Sequence, residues 1–89
     1  MSMANELRVK RARLRAWRRG FREADLILGP FADTRVPAMT AEQLGQFERL
    51  LEQNDHDVYA WVIGAAAPPP EFENEVMAAL RQSIRPGDG

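Results

Sequence analysis

Phe72, Val76, Leu80 and Ile84 stand four residues apart each time, and no stretch of the chain alternates apolar with polar residues as a strand would. A helical stripe without any strand pattern restricts the fold to packed helices. Glu6 to Arg19 carries Leu7, Leu14 and Trp17 at i, i+7 and i+10 among arginines, which predicts a first helix, with Trp17 either in the core, as its spacing from Leu14 favours, or on a contact surface. Gly20 is the natural residue to close it in the left-handed conformation, and Arg18 and Arg19 suit the negative helix end. Phe21 to Phe31 predicts a second helix, with Glu23 and Asp25 near its N-terminus. Phe21, Ala24, Leu26, Ile27, Leu28 and Phe31 nearly surround it, so it should be the central, most buried helix.

Pro30 near its end and Pro37 within residues 34–39 predict a connector. Thr40 and Gln43 form a capping-box signature, opening a third helix with Leu44, Phe47, Leu50 and Leu51 on one face. Asn54 and Asp55 break the chain, and Asp55 or Asp57 should cap a short fourth helix holding Val58, Tyr59, Trp61 and Val62, ended by Gly64. Phe47, Tyr59 and Trp61 are core candidates. AAAPPP at 65–70 is a stiff spacer before a fifth helix from Glu71 to about Arg85, with early acids and late arginines matching its dipole. Residues 1–5 and 86–89 read as disordered tails. The expectation is an all-α protein, one five-helix bundle over residues 1–89.

With 89 residues, one thin core is feasible, burying roughly 60–65% of the unfolded surface. There is no cysteine, which excludes disulfides, thiolate metal sites and cysteine nucleophiles, and His56 is the only histidine. Neither a Ser–His–Asp arrangement nor a paired-carboxylate geometry is supported, so the chain does not read as an enzyme. The adjacent side chains of Asp55, His56 and Asp57 would point in different directions, which favours a turn and helix cap over a metal site. No apolar run has the ~20 residues of a membrane helix, and no secretory h-region is present. A soluble, cytoplasmic protein is expected.

Charge is unevenly distributed. Residues 1–22 carry eight basic residues against Glu6, a net +7, whereas residues 23–89 carry four basic and twelve acidic, a net −8. The basic helix invites a nucleic-acid reading, such as an antitoxin-like regulator. The acidic remainder, a pI near 5.8 and the lack of aromatics interleaved with the arginines count against it.

Arg19-Gly20-Phe21-Arg22-Glu23 reads as R-G-x-x-E. Together with RRG-F-RE-A-D-L-I-L at 18–28, PFAD at 30–33, LGQFERLLEQNDHDVYAWV at 44–62 and PPPEFENEVMAALR at 68–81, it resembles the succinate dehydrogenase assembly factor 2 family, whose bacterial members are the SdhE proteins. The resemblance implies a small five-helix binding module and not an enzyme. It would bind the flavoprotein subunit of succinate dehydrogenase, and in some bacteria of fumarate reductase, and promote covalent attachment of FAD there. It would hold no cofactor stably itself and work as a monomer. The missing presequence and the Arg-over-Lys bias suggest a bacterial member.

By the same resemblance, Arg19, Gly20 and Glu23 carry the partner contact, with Arg15, Arg18, Arg22 and Asp25 around them. The residue types suit that role. Gly20 lets the backbone approach a partner closely, and Arg19 offers a planar fork of donors to a carboxylate or carbonyls. Glu23, four residues on, either holds Arg19 or pairs with a basic residue of the partner. Asp25 and Asp33 either edge this surface or serve as caps. On this reading Gly20→Arg folds normally and no longer supports flavin attachment.

Overall fold

The computed structural model describes residues 3–84, with side chains from residue 5 onward. Five helices follow in order: α1 (Met3–Ala16), α2 (Arg22–Arg35), α3 (Ala41–Leu51), α4 (Asp55–Ile63) and α5 (Glu75–Ser83), with 3-10 turns at Val36–Ala38 and Pro70–Phe72. No strand occurs among the described residues. The expected tail at 86–89 and the helix end at Arg85 lie outside them, as do Met1 and Ser2. Met3 to Asn5, expected in a tail, are helical.

The core is one cluster to which every helix contributes. Ala12 and Ala16 of α1 meet Leu28, Phe31 and Ala32 of α2, Leu44, Phe47, Leu50 and Leu51 of α3, Val58, Trp61 and Val62 of α4, and Val76, Met77 and Leu80 of α5. α2 packs against α1, α4 and α5, which makes it central as expected. It is not buried all round, however, since Leu26 is 56% exposed. No helix among the described residues is long and apolar enough to cross a membrane.

Local chemistry accounts for most boundaries. Thr40 closes both arms of its capping box: Gln43 N–H donates to Thr40 Oγ1 at 3.1 Å, and Thr40 N–H donates to Gln43 Oε1 at 3.0 Å. Gly64 ends α4 in the left-handed conformation at φ 83°. Four expectations are corrected. α2 runs through Pro30 to Arg35 instead of ending at Phe31. Pro30 and Leu26 both lie on the exposed side of the helix, where the missing N–H costs least. α4 is capped by neither Asp55 nor Asp57 but by Asn54, whose Oδ1 accepts from His56 N–H at 2.9 Å and Asp57 N–H at 3.2 Å. α5 starts four residues late, capped by Asn74, because Pro70–Phe72 is a separate turn; Phe72 nevertheless stays in the buried stripe. Tyr59 is half-buried, edge-on to Phe21, and not in the core.

The largest correction concerns α1. Its buried face is Ala12 and Ala16, with Val9 partly covered, while Leu7, Leu14 and Trp17 lie exposed. The helix is also clamped to α3 by a bidentate pair, Arg8 Nη2 to Glu48 Oε1 at 2.7 Å and Arg8 Nε to Glu48 Oε2 at 3.2 Å. The hydrogen bond from Arg8 holds the Glu48 carboxyl below the usual carboxylate range, against a smaller opposing effect of burial. A depressed carboxyl stabilises the fold above the unfolded value of about 4.3, and that stabilisation is lost as pH falls through the folded value. Glu48→Gln should therefore be less stable than the parent chain at neutral pH in urea titrations. The difference should shrink as pH falls below the unfolded value and vanish once pH is below the depressed folded value. A difference that persists undiminished at acid pH would show that the pair is not its source.

Candidate functional site

The R-G-x-x-E segment forms the turn between α1 and α2. α1 ends at Ala16, three residues earlier than Arg19, in a tightened turn where Trp17 N–H donates to Leu14 O at 3.2 Å and Arg18 N–H to Arg15 O at 3.1 Å. Gly20 is therefore not the helix-closing residue. It reverses the chain two residues before α2, at φ 109°, a conformation side chains of L residues rarely adopt. Asp25, in the first turn of α2, reaches back and accepts the Arg19 N–H on Oδ1 at 2.7 Å, which ties the turn to the helix it precedes.

Arg19 does not present its fork outward. Its side chain is 6% exposed and lies between the end of α3 and the start of α4. Nη1 donates to the Leu51 carbonyl, Nη2 donates to the Gln53 carbonyl at 2.8 Å, and Nη2 pairs with Asp55 Oδ1 at 2.7 Å. The last carbonyls of a helix lack partners within it, and a cation there suits the helix dipole. Asp55 is the first residue of α4, where an anion is equally favoured. Arg19 thus joins three elements at one point. Burial pushes its guanidinium below its ordinary value, with Asp55 opposing this and the neighbouring Arg15 charge adding to it. An arginine so placed stays charged.

Gly20 belongs to the same joint. A Cβ at Gly20 would stand 2.8 Å from Asp55 Oδ2, too close for any real contact. Its missing side chain is thus required within the chain, and the expectation that Gly20→Arg leaves the fold untouched is corrected. Beyond it, Phe21 stacks on His56 with ring centroids 4.5 Å apart.

The other expected contact residues divide clearly. Arg15, Arg18, Arg22 and Glu23 are exposed and make no ion pair among the described residues, while Asp25 is half-buried under Arg19. Glu23 makes no hydrogen bond or ion pair with Arg19, whose partner is Asp55. Sequence reasoning missed Asp55, which it treated as a cap candidate. Asn54 taking the cap is what frees the Asp55 carboxylate, and a 36-residue separation from Arg19 gives no local signal. Asp33, left undecided, is surface: it accepts from Arg13 Nε and Trp17 Nε1, each at 3.1 Å.

Residues 10–84 match the family described as "Flavinator of succinate dehydrogenase". The chain is 38% identical over 67 residues to the mitochondrial succinate dehydrogenase assembly factor 2 of Dictyostelium discoideum, covering 75% of this chain and 48% of that protein. It is 31% identical over 86 residues to the mitochondrial succinate dehydrogenase assembly factor 2-A of Drosophila yakuba, covering 94% of this chain and 53% of that protein. The chain spans about half the length of these curated relatives.

Proposed function

Because the chain belongs to the family described as flavinator of succinate dehydrogenase, we propose that it is a FAD assembly factor for the flavoprotein subunit of that enzyme or of fumarate reductase. It binds the subunit as a monomer, promotes covalent attachment of FAD to it, and retains no cofactor of its own. The flavin and its acceptor side chain belong to the partner, so this chain supplies no reacting group. It acts by favouring the attachment-competent arrangement of the partner's domains, a shift of population that follows from differential binding. Cytoplasmic location in a bacterium goes with this reading. The Arg-rich stretch that could pass for a transit peptide is α1, packed through Ala12 and Ala16 and clamped by Glu48.

The supporting observation is the division of labour in the motif. Arg19, Gly20 and Asp25 lock the turn from inside, and Glu23, Arg18 and Arg22 stand outside it without partners among the described residues. A rigid turn displaying uncommitted charges is preorganised for a protein contact. Glu23→Ala is the variant to test, since that carboxylate makes no hydrogen bond or ion pair among the described residues and contributes to the fold only through the dipole of α2. In a strain lacking the factor, the parent chain should restore in-gel fluorescence of covalent flavin on the flavoprotein subunit. Glu23→Ala, with at most a small drop in melting temperature from the lost dipole contribution, should restore little. Full restoration by Glu23→Ala would remove it from the contact, and no restoration by the folded parent chain would end the assembly-factor reading.

A further inference from the structure

Two large apolar side chains of α1 face away from the core, and a third just past its end is partly uncovered: Leu7 is 52% exposed, Leu14 50% and Trp17 40%. Spacing places Leu7 and Leu14 along one side of the helix, opposite Ala12 and Ala16, and Trp17 lines one cleft with Leu14. Single exposed leucines are ordinary on a protein surface, but a line of them ending in a tryptophan is not.

Trp17 is held in place. Its Nε1 donates to Asp33 Oδ2 at 3.1 Å, while Arg13 Nε donates to Asp33 Oδ1 at 3.1 Å. The indole lies over Gly29 of α2, where a Cβ would come within 2.3 Å of the ring, so only glycine admits this seat. A large aromatic fixed before any partner arrives loses little freedom on binding, and tryptophan is the residue most enriched among binding anchors. Beside it lies a shallow cleft of about 250 Å³ lined by Lys10, Arg13, Leu14, Trp17 and Asp33.

We infer that this outer face of α1 is a second anchor for the flavoprotein partner, taking an acidic segment whose apolar side chain enters the cleft between Leu14 and Trp17. The inference rests on the assembly-factor reading and extends the contact from the Gly20 turn along α1. Charge complementarity selects the occupant. Lys10, Arg11 and Arg18 are exposed and make no ion pair among the described residues, so the face awaits carboxylates. Trp17 and Arg18 also run directly into the turn that presents Glu23, giving one continuous surface. An anionic lipid surface fits less well, because the Asp33 carboxylate sits in the patch and three half-exposed side chains offer less apolar area than an interfacial helix brings.

The test titrates fluorescently labelled chain with the purified flavoprotein subunit. Trp17→Ala and Leu14→Ala should each weaken binding severalfold, and together by at least about tenfold, with circular dichroism unchanged. Lys10→Glu should weaken binding at low salt and lose that effect as salt rises. Should Trp17→Ala lower the melting temperature by uncovering Gly29, Leu14→Ala, whose side chain makes no hydrogen bond, decides the matter. Parent chain that binds, with both alanine variants binding equally well, overturns the second anchor and leaves the assembly-factor reading intact. Parent chain that does not bind overturns both. Trp17-dependent binding to phosphatidylglycerol–phosphatidylcholine vesicles, with no Trp17 dependence toward the flavoprotein, overturns the inference in favour of a lipid surface.

Discussion

Asp55→Ala should lower stability by about 2–3 kcal/mol and the melting temperature by roughly 10–20 °C, although it truncates a single partly exposed side chain. The cost comes from what it leaves behind. The Arg19 guanidinium, 6% exposed, would keep its two carbonyl partners and the weaker influence of the Asp25 charge but lose the carboxylate it pairs with directly, and its buried Nε already lacks a partner among the described residues. Breaking a fully buried pair costs about 3–5 kcal/mol, and the 31% exposure of the Asp55 side chain admits enough water to reduce that. The loss is large against the roughly 5–13 kcal/mol that a chain of this size has in total. Two controls isolate the ion pair. Asp57→Ala removes another acid from the first turn of α4 and so reports the helix-dipole contribution alone, while Asp55→Asn keeps an acceptor near Arg19 and should fall between the two. Urea titrations in which Asp55→Ala and Asp57→Ala cost the same would show that the joint contributes nothing beyond the dipole.

The features legible in the sequence are those whose physics is local. The capping box at Thr40 and Gln43 and the left-handed Gly64 depend on residues a few positions apart, and both form as their spacing implies. The stripe from Phe72 to Ile84 also survives, because burial follows from position even though α5 begins later than its pattern suggests. What failed depended on the other side of a contact. Leu7, Leu14 and Trp17 make the stronger apolar pattern on α1, yet Ala12 and Ala16 go inward because close packing against α2 and α3 needs small side chains there. The seat of Trp17 depends on Gly29, twelve residues away on another helix. The stretch from Arg19 to Glu23 stands out in the sequence, but its inward contacts do not, since nothing near Arg19 announces Asp55 or the carbonyls of Leu51 and Gln53.

Gly20→Ala should cost about 2–4 kcal/mol, as much as losing the ion pair itself, through two separable effects. The first is backbone strain: at φ 109° an L residue is in a sparsely populated region, worth about 1–3 kcal/mol. The second is the clash between its Cβ and Asp55 Oδ2 at 2.8 Å. That carboxylate cannot swing aside freely, because its other oxygen is held by Arg19 at 2.7 Å. Relief of the clash therefore loosens the joint, whereas the strain remains whatever Asp55 does. The two effects part in a double-mutant cycle: in an Asp55→Ala background the clash is absent, so Gly20→Ala should cost only its strain and the pair of changes should be less than additive. Full additivity would mean that Gly20 and Asp55 are not coupled. A larger side chain, as in Gly20→Arg, meets the same obstacle, so loss of flavin attachment in that variant does not by itself locate a partner contact at Gly20. If Gly20→Ala melts like the parent chain and still fails to support attachment, the glycine acts at the partner's surface. If stability and attachment fall together, by the same measure as in Asp55→Ala, the glycine serves the joint that holds Glu23 in place.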